Sequence, residues 1–400
     1  MANENLFTAK RAKSDEFYTQ YEDIEKEMNA YLEFNPKVFR NKTILLPCDD
    51  PEWSNFTKYF AQNFEKIGLK KLISTSYAPN SKAMQLLDQP TLFEIESPQY
   101  DESKASNNGK IFTLYRDKTG DHKIDVNDLE WKYLEGDGDF RSEEITKLRD
   151  EADIIITNPP FSLFRDFLSW ITAADKSFVI IGNMNAITYK EVFPLIKQNK
   201  IWLGQSIHSG DREFQVPESY PLESAGWRID DDGRRFIRVK GVRWFTNLDH
   251  GRRHQPIPLM TMSENLRFSK HKEIKGQEDY VRYDNYDAIE IPYTDSIPSD
   301  YQGIMGVPIS FLDKYSPEQF EILGATQRGC HDEVPDHKKY DEYWEVKPNG
   351  VPTGSSGGKT NENANIVGND GRKNYFINKE GRIIQSAYQR IFIKHRRPER

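Results

Sequence analysis

In DIIITNPPFSLF, residues 153–164, an uninterrupted apolar run stops at two consecutive prolines. Proline has no amide hydrogen to give a sheet ladder, so a strand that reaches Pro-Pro must end there. Proline is also accepted in the first turn of a helix. Beyond the prolines, Phe164, Phe167, Leu168 and Ile171 recur at helical spacing. The pattern predicts a buried strand at 154–157, a helix over 162–172, and Asn158-Pro159-Pro160-Phe161 between them. In open α/β sheets, ligands bind at the carboxyl ends of strands.

Punctuation alone accounts for the prolines. A chemical reading also accounts for their neighbours. The amide oxygen of Asn158 and the carbonyl of Pro159, held side by side on a restricted backbone, form a pair of acceptors. Such a pair suits a planar amino group with two N–H bonds to donate, and Phe161 would stack on the ring carrying that group.

The rest of the chain bounds the setting. With 400 residues, 36% hydrophobic and 30% charged, it is long enough for two or three domains with a sizeable core. No run of 18 apolar residues is present and the first residues, MANENLFTAKRAKSDE, lack the apolar core of a signal peptide, so a cytoplasmic protein is expected. Two cysteines, Cys48 and Cys330, make neither a disulfide framework nor a zinc set, and no metal is expected.

The net charge of −8 is unevenly spread. Residues 225–275 hold 12 Lys/Arg against 6 Asp/Glu, a local net of +6 that leaves −14 for the remainder. Within this window RRFIRVKGVRW puts Arg238 and Lys240 on one face of a strand and Ile237 and Val239 on the other. A solvated strand face explains this as well as a phosphate-contacting one does. Nucleic-acid binding needs only a local basic track, and Arg238, Lys240 and Arg243 are its candidates.

Along the chain, Ser14 before acidic residues reads as a helix start, 43–48 as a strand breaking at Asp49-Asp50-Pro51, and Phe56, Tyr59, Phe60, Asn63 and Phe64 as one face of a helix. Strands follow at 70–77, at IFTLYRD and at KSFVIIGNMNAIT, with polar loops over 79–110 and a helix in TYKEVFPLIKQNK. Alternating strands and helices with apolar strand runs predict a mostly parallel, doubly wound α/β sheet. Beyond about residue 200 the pattern is strand-like and irregular, and the Gly-, Asn- and Ser-rich stretch 347–374 reads as a mobile loop.

Taken in order, KSDEFYTQYEDIE, CDDPEWSNFTKYFAQNF, GLKKLI, GDGDFRS, TNPPFSLF, ITYKEVF, KIWLG, YDNYDAI and MGVPISFLDKYSPEQFE resemble the EcoRI-type adenine-specific DNA methyltransferases over about residues 10–325. The resemblance implies a class I S-adenosylmethionine-dependent methyltransferase fold with a C-terminal target-recognition region. It implies that Asn158, Pro159, Pro160 and Phe161 grip the target adenine and that Phe17, Tyr18 and Thr19 touch the methionine part of the cofactor. Asp49 and Asp50 stand where such enzymes hold the cofactor. Asp139-Phe140 looks like the pair that contacts the cofactor's adenine, the carboxylate accepting from its amino group and the ring packing on its face. Two features depart from the broader methyltransferase pattern. No Gly-x-Gly follows the first strand, which the EcoRI type shares, and the second strand ends in Ser74-Thr75-Ser76-Tyr77 rather than in a ribose-binding acid.

The implied organisation is an N-terminal segment contributing to the cofactor site (1–40), a catalytic domain (41–250) and a target-recognition and C-terminal region (251–400). The implied partner is double-stranded DNA, with GAATTC as the default site, and a restriction–modification role would add a cognate endonuclease acting on the same site. A monomer without membrane association is expected. Other planar amino groups, such as cytosine N4, guanine N2 or a glutamine amide, suit the same motif. A catalytically silent DNA-binding protein of the same fold is the reading of another class.

Overall fold

The computed structural model describes residues 19–49, 54–78, 99–208, 211–216, 220, 222, 226–326, 334, 337–387 and 389–396. The chain divides into two units, one formed by residues 1–186 and 201–251 and the other by 187–200 and 252–400.

The first unit is built on an eight-stranded sheet. Its strands are β1 (Thr43–Leu46), β2 (Lys71–Ser76), β3 (Lys110–Leu114), β4 (Glu130–Tyr133), β5 (Ile154–Thr157), β6 (Ser177–Asn183), β7 (Trp202–Leu203) and, after three further strands, β11 (Val242–Thr246). Those three, β8 (Asp211–Val216), β9 (Trp227–Ile229) and β10 (Arg235–Lys240), form a separate antiparallel sheet in the order β8-β10-β9, and β11 (Val242–Thr246) returns the chain to the large one. The large sheet runs β4-β3-β2-β1-β5-β6-β11-β7.

Only its centre is parallel: β2 with β1, β1 with β5, and β5 with β6. The flanking strands β3, β4, β11 and β7 all pair antiparallel. The sheet is therefore mixed, where the sequence pattern predicts a mostly parallel one. Between β3 and β4 stands only a loop with one 3-10 turn, Val126–Asp128. A parallel pairing needs a longer crossover, whereas a short link returns the chain antiparallel.

Helices cover the sheet where their apolar spacing demands it. α1 (Tyr21–Phe34) buries Ile24, Met28 and Tyr31, and with them a carboxylate, Glu27. That carboxylate accepts the Tyr31 hydroxyl at 2.6 Å and the amides of Gln205 and Ser206 at 3.0 and 2.7 Å, which binds α1 to the chain leaving β7. The Ser14 helix start lies outside the described residues. α2 (Asn55–Gln62) is N-capped by Ser54 and buries Phe56, Tyr59 and Phe60. α3 (Glu143–Glu151), capped by Ser142, leads into β5. α4 (Phe164–Thr172) follows the Asn-Pro-Pro-Phe turn through one 3-10 turn, Phe161–Leu163. In the stretch read as loops, residues 79–98 lie outside the described residues, and 102–105 form a single helical turn.

One close approach places α4. Gly182 on β6 has no Cβ, and the Phe164 ring, which tilts against Phe245 with 5.0 Å between centroids, lies over it. A Cβ there would come within 2.9 Å of Phe164 Cδ2 and Cζ.

The second unit holds two sheets. β12 (Ala288–Glu290), β13 (Ile304–Pro308) and β14 (Phe320–Ala325) share one with the last strand of the chain. β15 (Trp344–Val346), β16 (Pro352–Ser356), β17 (Asn365–Val367), β18 (Tyr375–Ile377) and β19 (Ile383–Ser386) form the other, in the order β16-β15-β18-β19-β17. β20 (Arg390–His395) then completes the first in the order β12-β13-β20-β14. The stretch 347–374 is thus a correction to the sequence reading: it carries β16, a 3-10 segment and β17. Gly350 serves the turn before β16: φ is +82° and the Lys347 amide donates to the Val351 carbonyl at 2.9 Å.

Gly182→Ala should push the Phe164 ring off β6 and destabilise the protein by about 1–3 kcal/mol, the usual cost of overpacking a core. Denaturant unfolding measures it; a change below about 0.5 kcal/mol would mean that the ring gives way freely.

Candidate active site

Three loops meet at the carboxyl ends of the central strands. The first leaves β1 at Pro47, the second leaves β2 at Tyr77, and the third is the turn after β5. Asp49, 7% exposed, organises the first two. Its amide donates to the Thr75 carbonyl at 3.1 Å and its carbonyl accepts the Ser74 hydroxyl. Thr75 Oγ1 donates to the Pro47 carbonyl at 3.1 Å, and Thr57 Oγ1 stands 3.0 Å from Ser74 Oγ. Ser74 and Thr75, which the sequence offers where an acid would bind ribose, are therefore used to hold the β1 loop.

The Asp49 carboxylate reaches further. Oδ1 accepts the Ser54 hydroxyl at 2.7 Å, and Ser54 in turn caps α2 through the amides of Phe56 and Thr57. Oδ2 accepts the Thr157 hydroxyl at 2.5 Å. Thr157 is wholly buried and precedes Asn158 directly. Asn158 is 8% exposed, Pro159 and Pro160 are buried, and Phe161 is half-buried against the main core. The amide of Leu163 donates to the Pro160 carbonyl at 2.9 Å, which closes the turn.

The loop after β4 packs on the end of β2. A Cβ at Gly138 would collide with the Ser76 carbonyl, and φ there is +87°, so only glycine lets this loop approach. The Ala78 amide donates to the Asp137 carbonyl at 2.7 Å. Asp139 follows. Its Oδ1 accepts the amide and Nε of Arg141 at 2.8 and 2.9 Å, and its Oδ2 accepts Nη2 at 2.6 Å. The Arg141 hydrogen bonds hold the Asp139 carboxyl below its ordinary pKa against a smaller opposing effect of burial, so it is ionised at neutral pH. Phe140 is fully buried, edge-on to Phe167 at 5.0 Å and to Trp170 at 5.6 Å. It anchors the loop in the core and has no exposed face to lay on a cofactor ring.

Of the N-terminal candidates, Phe17 and Tyr18 lie outside the described residues, as does Asp50. Thr19 is 4% exposed; its carbonyl accepts Asn55 Nδ2 at 2.8 Å, which sets it beside the N-terminus of α2. Its Oγ1 is buried without a hydrogen-bond partner among the described residues. A buried hydroxyl left so is costly unless a ligand completes it. Thr19 Oγ1 and the Asp139 carboxylate, an acceptor in the loop that packs on the end of β2, are polar groups whose chemistry suits a nucleoside-type cofactor.

The basic strand behaves as its alternation predicts for two residues and not for the third. Arg238 and Lys240 are exposed on β10, and Ile237 and Val239 are buried. In register, Arg238 faces Glu213 and Lys240 faces Asp211 on β8. Arg228 on β9 pairs with Glu213 at 2.5 and 2.9 Å and lies over the Phe236 ring. Arg243 is a correction to the sequence reading: it is 4% exposed, and its guanidinium donates to the carbonyls of Val242 and His208 at 2.8 and 2.6 Å. Gly241, with φ +70°, carries the chain from one sheet into the other, so the alternation does not continue from Lys240 to Arg243. The crossing is pinned to the carboxyl end of β6. Met184 donates its amide to the Gly241 carbonyl at 2.6 Å and Asn183 Nδ2 donates to the Lys240 carbonyl at 2.8 Å.

Sequence reasoning missed the bracket residues Ser54, Ser74 and Thr157. Ser54 carries a signal, a serine before an apolar helical run; Ser74 and Thr157 are small hydroxyl residues at strand ends and carry none. Among the described residues no group of three or more His, Cys, Asp or Glu stands ready for a metal ion, and no helix is long and apolar enough to cross a membrane.

Comparison with known proteins identifies the family. The Type II methyltransferase M.EcoRI of Escherichia coli is 44% identical over 321 residues, 80% of this chain and 89% of that protein. The Type II methyltransferases M.MpnI of Mycoplasma pneumoniae and M.MgeORF184P of Mycoplasma genitalium are each 33% identical, over 79% of this chain and 83% and 84% of theirs. No solved structure matches. The family described as adenine-specific methyltransferase EcoRI matches residues 5–396, so the chain belongs to that family of adenine-specific DNA methyltransferases.

Proposed function

We propose that this DNA adenine methyltransferase moves the methyl group of S-adenosylmethionine to the N6 amino group of an adenine flipped out of duplex DNA, with Asn158 and Pro159 as acceptors of its two N–H bonds. The observation that carries this reading is the buried Asn158-Pro-Pro turn at the carboxyl end of β5, beside the loops that close on the ends of β1 and β2. The parallel centre of the sheet supports a class I methyltransferase fold. The strand-rich second unit is the candidate for target recognition.

S-adenosylmethionine supplies an electrophilic methyl on a sulfonium; Thr19, with Phe17 and Tyr18 before it, Asp49, Asp50 and Asp139 would hold it. The adenine amino nitrogen is a poor nucleophile because its lone pair is delocalised into the ring. Asn158 Oδ1 and the Pro159 carbonyl hold both N–H bonds and favour a lone pair localised toward the methyl. They also stabilise the positive charge that grows on nitrogen, by dipoles fixed before the reaction begins. The nitrogen then loses a proton to solvent, and no base has to act before attack. Flipping the base costs a few kcal/mol of pairing and stacking, part of which Phe161 returns by stacking on the extruded ring. Arg238 and Lys240 would meet the phosphate backbone. Asp139 Oδ2 accepts one bond from Arg141 and has a second lone pair for the cofactor's amino group.

Asn158→Ala should abolish methyl transfer while cofactor binding stays nearly intact; activity within about tenfold of the parent, measured as tritium incorporated into DNA, would remove Asn158 from the mechanism. Asp139→Ala should behave oppositely and weaken cofactor binding by about 1.5–3 kcal/mol, as expected for a hydrogen bond to a charged acceptor; calorimetry reads it, and an unchanged affinity would return Asp139 to a purely structural pairing with Arg141. Lys240→Ala should weaken binding to target and non-target duplexes alike and reduce the slope of log affinity against log salt by about one. An unchanged slope on both duplexes would make the Arg238/Lys240 face a solvated one.

A further inference from the structure

We infer that Asp49 and Thr157 are positioning residues for the transfer step: the Asp49 carboxylate fixes the end of β5 and so holds Asn158 where it can accept from the target amino group. The inference rests on the proposed role of Asn158.

The ladder between β1 and β5 ends early. Its register runs Ile44 to Ile154 and Leu45 to Ile155 and then stops. On the other side, β5 stays paired with β6 as far as Thr157 opposite Ile180. From Pro47 onward the β1 chain leaves the sheet, so the last residues of β5 have lost their backbone partner on that side. The bond from Thr157 Oγ1 to Asp49 Oδ2, 2.5 Å long, spans this gap. Asp49 is itself held at its amide by Thr75, at its carbonyl by Ser74 and at Oδ1 by Ser54. A group fixed at so many points is a stiff anchor.

The chemistry favours this role over a purely structural one. Burying a carboxylate is an expensive means of stabilising a fold, and a functional group needs its supporting side chains locked to a fraction of an ångström. Thr157 is also one residue from the acceptor it would position. A threonine hydroxyl bonded to a fixed carboxylate tethers its residue from the side chain, next to the backbone that runs into Asn158. Misplacement by about 1 Å costs a reaction on the order of a hundredfold, without any change in what binds.

The test uses the full-length protein with S-adenosylmethionine and a methylatable duplex. Thr157→Val removes the hydroxyl and keeps the shape; Thr157→Ser keeps the hydroxyl; Asp49→Asn keeps the shape of the anchor and alters its charge. Single-turnover methyl transfer, cofactor affinity and duplex affinity are measured for each. Thr157→Val is expected to lower the transfer rate by about tenfold to a hundredfold, with both affinities within about threefold of the parent. Thr157→Ser should recover most of the rate. Asp49→Asn should lose a similar amount, and the Asp49→Asn/Thr157→Val double variant should be no slower than the slower single one, because both act on the one link between Asp49 and Thr157.

A Thr157→Val rate within about threefold of the parent would overturn the inference. So would losses in the two single variants that multiply in the double one, or a loss at Asp49→Asn that appears only as weaker cofactor binding. Asn158→Ala, run beside them, separates the levels. If it stays active, the reading of Asn158 itself has failed. If it is inactive while Thr157→Val is as fast as the parent, only the positioning role has.

Discussion

A single buried carboxylate, that of Asp49, joins the three pieces of chain from which the candidate site is made. One oxygen takes the hydroxyl that caps α2 and the other takes the hydroxyl at the end of β5. Its own backbone is tied to the end of β2. Strands of a parallel sheet diverge at their carboxyl ends, which makes that edge a place for ligands and also a place where backbone hydrogen bonds run out. Side chains then have to supply the order. Here they do so with hydroxyls and one carboxylate.

The same economy explains why glycine-poor loops can stand where a glycine-rich turn is usual. Ser74 and Thr75 hold the start of the β1 loop, Pro47 and Asp49, by side-chain bonds. Glycine appears instead where two backbones meet, at Gly138 against Ser76, and where a ring must lie on the sheet, at Gly182 under Phe164. The Asp139 loop reaches the end of β2 through the first, and α4 seats behind the Asn-Pro-Pro turn through the second. Phe140 contributes by burial: set among Phe167 and Trp170, it holds Asp139 at the surface by occupying the core.

Charge in this chain is local. The β10 face carries Arg238 and Lys240, yet the facing strand brings Glu213 and Asp211 into register with them. A phosphate there would compete with these carboxylates, so any attraction is moderated and depends on salt. The strand leaves its sheet at Gly241 and is pinned to the end of β6, the strand beside β5. Lys240 therefore stands at the carboxyl end of β6, although nothing in the spacing of the basic residues indicates that place.

The sequence by itself determined the Ile154–Thr157 strand, the turn that ends it and the helix after it, because proline chemistry and apolar periodicity are local. It likewise determined the apolar face of α2 and the alternation of β10, and its motifs pointed to the family. Tertiary structure alone decided which strands turn back. Antiparallel and parallel neighbours share one apolar pattern, so the mixed order of the large sheet was not legible. It also decided that 347–374 forms strands, since glycine and asparagine serve tight turns as readily as loose loops. It buried Arg243, whose carbonyl partners come from residues 242 and 208. Finally, it brought Asp49 to Thr157 across 108 residues of chain. A hydrogen bond between side chains so far apart in sequence has no local signature, because its energy exists only once the sheet has placed both ends.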